Sequence, residues 1–292
     1  MIKEIAKSIK ARLLNIARDE NVNYQQLIIR YLYERLLYRL SVSQYKEKFC
    51  LKGGALLYAF EKDFPRPTLD IDFLGLKIHN DIEMLKSVFC EVLAISCNDG
   101  IEFNISTVRA EEINENNSYH GVQVVFEAKL DSIRQIMRID IGFGDVIIPT
   151  AQELSYPVLL EELPVPQIMA YSLESVVAEK FQAMIELSEV NSRYKDFYGV
   201  YKILVLQNLN TDILNEAVRA TFANRGTLYQ ESHPLFLESF VKEENRNTQW
   251  KRFLKKIKQD EELKFEDVIK LIRIKLLPIY KDLNSNKQWA NM

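Results

Sequence analysis

The run Leu69-Asp70-Ile71-Asp72-Phe73-Leu74 alternates apolar and acidic residues with a period of two. That period fits a β-strand, because successive side chains of a strand leave on opposite faces. Asp70 and Asp72, at i and i+2, therefore share one face, and the apolar residues need a core on the other. Carboxylates held side by side repel, which raises their pKa and costs stability. The cost is tolerated mainly where a divalent cation sits between them, and an all-oxygen donor set suits Mg²⁺ or Mn²⁺. A third acid stands in Arg138-Ile139-Asp140-Ile141, with the apolar flanks of another half-buried strand.

Upstream lies Lys52-Gly53-Gly54, the one adjacent glycine pair in a chain with only 9 glycines. Glycines at a strand-to-helix turn let backbone N–H groups approach a triphosphate, and the helix N-terminus favours its charge. Taken singly, Asp-x-Asp is an ordinary solvated strand face and Gly-Gly an ordinary turn. Together, with a later apolar-Asp-apolar strand, they point to metal-dependent chemistry on a nucleotide. Two metals about 4 Å apart on three carboxylates align an attacking hydroxyl and a leaving pyrophosphate.

The formal net charge of −3 hides a split: residues 1–50 carry net +5, residues 51–239 net −13 and residues 240–292 net +5. A uniformly basic nucleic-acid coat protein is excluded, while basic ends stay available to a polyanion. With 47% hydrophobic and 27% charged residues, the chain is neither disordered nor fibrous. Its 292 residues suffice for one large or two ordinary domains. Cys50, Cys90 and Cys97 form no close pair, and His79, His120 and His233 are isolated, so no zinc site is expected. The odd cysteine count and the lack of a secretory leader lead us to expect reduced thiols and a cytoplasmic protein. No apolar run approaches the ~18–20 residues that span a bilayer.

The periodicity divides the chain into a helical arm over 1–48, an α/β core over 49–150 and an α-helical domain over 151–292. Helices are predicted at 4–18 and 24–40, the second with Arg30, Arg35 and Arg39 on its polar side. A short helix opens at the glycines over 54–60. Strands follow at 69–74, 101–108, 121–130 and 135–143, with a helix at 81–94 and a polar connection at 109–120. Pro149, Pro157, Pro164 and Pro166 mark an extended connector. Helices then run through 173–188, 194–207, 211–223, 234–241, 247–258 and 265–282.

The longer contexts resemble a known family. They are Phe49-Cys50-Leu51-Lys52-Gly53-Gly54-Ala55-Leu56-Leu57, Arg66-Pro67-Thr68-Leu69-Asp70-Ile71-Asp72-Phe73-Leu74-Gly75, Asp140-Ile141-Gly142-Phe143-Gly144-Asp145, Val177-Ala178-Glu179-Lys180 and Ser192-Arg193-Tyr194-Lys195-Asp196-Phe197-Tyr198. The chain looks like an AbiEii/AbiGii toxin-type nucleotidyltransferase, of the polymerase-β-like superfamily, over its length to about residue 230. These are the toxin halves of abortive-infection toxin–antitoxin systems. The resemblance implies an α+β fold: a mixed sheet with flanking helices, after a helical arm and before an α-helical domain. It also implies roles. Lys52, Gly53, Gly54 and Arg66 would bind the nucleotide, and Asp70, Asp72 and Asp140 would hold the metals, Asp140 also activating the hydroxyl. Lys180 would reach the triphosphate, and Arg193, Lys195 and Asp196 would face the same cleft, Lys180 and Asp196 with catalytic roles. Lys195 and Asp196 are adjacent on a helix and diverge by about 100°, so at most one touches the substrate. Arg193 and Asp196, at i and i+3, have a structural ion pair as their alternative. Asp145 is read as a turn acid at a strand end, with a fourth acid near the site as its alternative.

Two positions depart from the family. Ala55 stands where many relatives carry a Ser or Thr hydroxyl, so backbone must do more. Gly199 replaces the second Asp of Lys-Asp-Phe-Tyr-Asp.

The implied acceptor is RNA, with the tRNA 3′ end foremost and translation block the consequence; a separately encoded antitoxin is the implied protein partner, and no membrane is. Lys242, Arg246, Lys251, Arg252, Lys255, Lys256, Lys258, Lys264, Lys270, Arg273, Lys275 and Lys281, interleaved with Trp250, Phe253 and Tyr280, would track a phosphate backbone. Such a run is as readily a solvated helix face. The N-terminal arginines are a weaker candidate for the same task. Two other readings stay open: transfer to a protein or a small molecule such as an aminoglycoside, and a nucleotide-binding regulatory protein without turnover.

Overall fold

The computed structural model describes residues 2–60, 70–115, 119–188, 192–258 and 262–285. The chain divides into two compact units, one of Met1–Gly144 with Ala151–Ala170, the other of Asp145–Thr150 with Tyr171–Met292.

The first unit opens with α1 (Ile2–Asp19) and α2 (Tyr24–Ser41). On α1, Ala6, Ile9, Leu13 and Ala17 form one buried stripe at helical spacing. Asn21, at φ 53°, breaks the helix, and Asn23 caps the next by accepting from the Gln26 amide at 3.1 Å. Then come β1 (Phe49–Lys52), α3 (Gly53–Phe60), β2 (Ile71–Gly75), α4 (Ile82–Ala94), β3 (Ile101–Glu115), β4 (Tyr119–Leu130), β5 (Ile133–Gly142), β6 (Gln152–Ser155) and β7 (Gln167–Ala170). They make one seven-stranded sheet in the order β3-β4-β5-β2-β1-β7-β6. The β2–β5 and β1–β7 pairs are parallel and the other pairs antiparallel. The mixed α+β class expected from the sequence is therefore the class observed.

Two local readings need correction. The polar stretch 109–120 does not merely join two strands: its described residues carry the ladder Arg109↔Val125 through Glu115↔Tyr119, after a register shift beyond Asn104. As an edge strand, β3 keeps polar side chains such as Arg109, Glu111 and Glu112 in water, which erases the apolar alternation. The proline-marked connector also holds β6 and ends in β7, each only four residues long.

Arg35 and Arg39 do not lie on a polar helix side. They are 0% and 2% exposed. Arg39 grips Asp99 through two bonds, at 2.5 and 3.1 Å, and its Nε donates to the Ile95 carbonyl at 3.0 Å. Arg35 pairs with Glu34 at 2.8 Å and donates to the Pro164 carbonyl at 3.0 Å. Arg30 stacks on the Tyr58 ring, 3.9 Å from its centroid. These charges tie α2 into its own unit, so the N-terminal arginines drop out as an RNA grip.

The second unit is built on α5 (Leu173–Leu187), α6 (Tyr194–Leu206), α7 (Thr211–Asn224), α8 (Glu238–Lys242), α9 (Glu244–Lys256) and α10 (Phe265–Ser285). The helix predicted over 234–241 is a 3₁₀ turn, Pro234–Phe236, followed by α8. Trp250 lies within 6.1 Å of Tyr194 and 5.4 Å of Phe265, and its indole N–H donates to the Leu263 carbonyl at 2.8 Å. Tyr280 packs among Phe181, Phe222 and Phe236. Trp250 and Tyr280 are thus core residues and no stacking platform for bases. Among the described residues, no helix is long and apolar enough to cross a membrane.

Glu34 generates a pH prediction. Burial pushes its carboxyl up to about 7, against the pull of Arg35 and the Leu159 amide, which donates to it at 2.7 Å. Between pH 4.5 and about 7 the native chain keeps a proton that the unfolded chain has released. Stability from this group is therefore present below pH 4.5 and lost as pH rises through about 7. Glu34→Gln should remove that part of the slope, worth up to about 3 kcal/mol. Urea midpoints across this range check it; identical slopes in the two proteins would refute it.

Candidate active site

The site of the first unit begins where β1 runs into α3. Gly53 sits at φ +68°, and a Cβ there would lie 1.8 Å from the Asp72 Oδ2. Only a glycine lets the turn rest directly against that carboxylate. The sheet register supplies the rest. Lys52 is paired with Asp72 across β1–β2, Asp72 with Asp140 across β2–β5, and Asp140 with Gln123 across β5–β4. Side chains of paired residues share a face, so Lys52, Asp72, Asp140 and Gln123 form one row across four strands, neighbours about 4.8 Å apart. Alternate residues Leu51, Ile71, Phe73, Ile139 and Ile141 are each 0% exposed and fix that orientation from the opposite face. Asp70 stands one residue before β2 and is half-buried, as are Asp72 and Asp140.

Two contacts brace Asp140. Gln123 Nε2 donates to its Oδ1 at 2.7 Å. Two residues earlier, the Tyr33 hydroxyl on α2 donates to the Arg138 carbonyl at 3.1 Å and accepts from the Arg138 amide at 3.3 Å. The β2–β5 pairing starts only at Ile139, so Tyr33 serves the backbone groups that β2 does not reach. Burial raises the Tyr33 phenol, and the charges of Asp70 and Asp140 raise it further, which keeps it protonated.

Among the described residues, no three His, Cys, Asp or Glu side chains are gathered into a ready metal cage. The register instead supplies two carboxylates on adjacent strands, with Asp70 close in sequence. That all-oxygen set has the chemistry a Mg²⁺ or Mn²⁺ ion takes. Arg66 lies outside the described residues.

Lys180, Arg193, Lys195 and Asp196 belong to the second unit. Asp196 is buried at the start of α6 and accepts from Lys180 Nζ on α5 at 2.5 Å and from Arg193 Nε at 3.0 Å. Burial alone would raise its carboxyl; Lys180 and Arg193 outweigh that and hold it below the ordinary range. Lys195, next along the helix, is exposed. The i, i+3 ion pair of Arg193 and Asp196 is present, and Asp196 acts by holding two cations. Arg225 was not singled out from the sequence. It pairs with Asp145 at 2.9 Å, reaches Glu179 at 3.8 Å and donates to Gln182 at 2.8 Å. Burial would lower the guanidinium, but Asp145 and Glu179 raise it. Asp145 is thereby a structural anchor. Ala55 and Gly199 are both buried. An aspartate at 199 would need a partner charge to offset its desolvation.

The family model described as nucleotidyl transferase AbiEii toxin, type IV toxin–antitoxin system, matches residues 35–271, most of the chain. Among solved structures the chain is similar to JHP933 from Helicobacter pylori, at 15% identity and a TM-score of 0.47, covering 92% of this chain and 97% of that one. A second H. pylori structure, described as a candidate nucleotidyltransferase, gives 14% identity and a TM-score of 0.46, covering 90% and 98%. No match is found among curated proteins.

Two substitutions test this geometry. Gly53→Ala should cost about 1–2 kcal/mol from its positive φ and the contact with Asp72. The cost should shrink when Asp72→Ala is present, since the clashing carboxylate is gone; a double-mutant cycle with no coupling would contradict the packing. Asp196→Asn should destabilise by about 2 kcal/mol, below the usual figure for a broken buried pair because Lys180 and Arg193 reach water. The carboxylate's folded pKa is lowered, so its contribution is present above 3.8 and lost as pH falls through the depressed value. The native chain should lose stability more steeply below pH 4 than Asp196→Asn does in urea titrations.

Proposed function

The chain belongs to the AbiEii nucleotidyl transferase toxin family of type IV toxin–antitoxin systems, and from that premise we propose that it transfers a nucleoside monophosphate from an NTP to an RNA hydroxyl, the tRNA 3′ end foremost. Capping that end would block aminoacylation and so translation. The single observation that carries this reading is the in-register pair Asp72 and Asp140, with Gly53 packed on the first carboxylate.

In this reading the N–H groups at the start of α3 and the Lys52 ammonium bind the triphosphate. Asp72 and Asp140, with Asp70, would hold Mg²⁺ or Mn²⁺, which would supply Lewis acidity to the phosphoryl transfer. The acceptor oxygen attacks the α-phosphorus; a new P–O bond forms as the bond to the β-phosphate oxygen breaks, and pyrophosphate leaves. Asp140 takes the hydroxyl proton.

The acceptor assignment draws on charge. Lys251, Arg252, Lys255 and Lys256 on α9, and Lys270, Arg273, Lys275 and Lys281 on α10, are exposed. Such cations track a phosphate backbone without reading sequence. Arg246 is not among them: it is buried, 3.8 Å over the Phe240 ring and paired with Glu243 at 2.9 Å. We place the activity in the cytoplasm, where charged tRNA is consumed, with a separately encoded antitoxin as its counterpart.

The test is incubation of the purified chain with total tRNA, Mg²⁺ and each α-³²P-labelled NTP in turn. Label should enter RNA, and Asp72→Asn should reduce it by at least 10³-fold, of the order seen when a central electrostatic group is removed. Absence of labelled RNA with every NTP would refute the proposal; label on protein or on an aminoglycoside would move the acceptor to another class.

A further inference from the structure

Asp140 is a half-buried carboxylate, and rotation about its side-chain bonds would blur the position of both oxygens. Gln123 removes that freedom. It stands directly opposite Asp140 in the β4–β5 ladder, and its Nε2 donates to Asp140 Oδ1 at 2.7 Å. Gln123 is itself held, because Val122 and Val124 on either side are 0% exposed and anchor β4 in the core. The bond therefore runs from one strand-fixed residue to another.

The chemistry of the partner matters as much as its position. A lysine or arginine opposite Asp140 would donate equally well but would neutralise the carboxylate. A glutamate would repel it. An amide donates and adds no charge, so Gln123 orients Asp140 without contributing a charge of its own. On its other side Gln123 is paired with Glu111 of β3, so one neutral residue stands between two acids of the same row. A second charge at this point would change the field at Asp140 from either direction.

We propose that Gln123 is a positioning residue: its amide sets the plane of the Asp140 carboxylate so that Asp140 and Asp72 present oxygens to one divalent cation. This rests on the reading that those two carboxylates hold the ion. Partners that hydrogen-bond a metal ligand typically govern affinity by 10–100-fold.

The experiment uses the full chain without nucleotide and follows Mn²⁺ binding by the loss of the free-ion electron paramagnetic resonance signal. Gln123→Met keeps the side-chain length and removes the donor. It should weaken Mn²⁺ about tenfold while the thermal midpoint stays within a few degrees of the native chain. Turnover at saturating NTP should fall by a similar factor, with KM for NTP unchanged, and excess Mn²⁺ should restore part of it. Gln123→Asn, which keeps the amide but shortens its reach, gives a second reading of the same loss if the methionine variant does not fold. Native Mn²⁺ affinity in a folded Gln123 variant overturns the positioning role. A native chain that binds no Mn²⁺, or whose binding survives both Asp72→Asn and Asp140→Asn, overturns the ion-holding reading on which the inference stands.

Discussion

Placing Asp72 beside Asp140 on neighbouring parallel strands is electrostatically unfavourable, and much of the first unit exists to hold them there. Like charges at strand spacing repel, and the half-buried setting strengthens the repulsion relative to water. What keeps the pair together is the hydrophobic face beneath it. Ile71, Phe73, Ile139 and Ile141 are fully buried, and slipping either strand by one residue would turn its own pair of them out of the core. At about 25 cal/mol per Å² of apolar surface, that slip costs several kcal/mol, more than two half-exposed carboxylates gain by separating. The core thus enforces an arrangement that the charges alone would avoid.

A second layer of restraint comes from α2. Its buried ion pairs are not a source of net stability to be counted, since desolvation offsets most of their attraction. Their value is directional. Arg39 satisfies Asp99 with a two-pronged contact while also capping the carbonyl of Ile95, so the end of α4 and the entry to β3 are held at one orientation to α2. From the same helix Tyr33 reaches the backbone of Arg138, two residues before Asp140. One helix therefore sets both where the sheet begins to be covered and where β5 lies under the site.

The elements legible in the sequence are those whose local pattern and tertiary setting agree. Asp70-Ile71-Asp72-Phe73 reads as a half-buried strand because β2 is one, central and covered on its apolar face. The helix predicted from residue 24 begins there in the fold, where the Asn23 side chain caps it by accepting from the Gln26 amide. Legibility fails where the environment overrides the local code. Glu111 and Glu112 look like loop because an edge strand needs no outward apolar residues. Arg35 and Arg39 look like a wet helix face because the partners that bury them, Pro164, Ile95 and Asp99, are 56 to 129 residues away and invisible to periodicity. Gln123 carries no signal of its own, being one polar residue in the alternation of β4; only the β4–β5 register gives it meaning. In the second unit, Arg193 and Asp196 were readable as an i, i+3 pair, but Arg225 depends on Asp145, 80 residues earlier.

The folded chain also changes what its charge distribution means. The two basic ends have the same formal excess, yet they are not equivalent. At the N-terminus Arg35 and Arg39 are spent internally on Glu34 and Asp99, and Arg12 and Lys46 are paired with Glu162 and Glu153. Fields from such pairs largely cancel within a Debye length, about 8 Å at physiological salt, and steer nothing from a distance. On α9 and α10 the cations stand outward on helices whose apolar sides are occupied by Trp250, Leu254, Ile272 and Tyr280. There Trp250 and Tyr280 fill the core, while the lysines and arginines face water beside a few acids such as Glu266 and Asp267. An RNA held by this surface would be gripped through phosphates and not through stacked bases, so binding there would weaken steeply with salt and discriminate little by sequence. On the proposed reading, selection among acceptors would then fall to the neighbourhood of Asp72 and Asp140, where geometry, and not net charge, would decide which hydroxyl reacts.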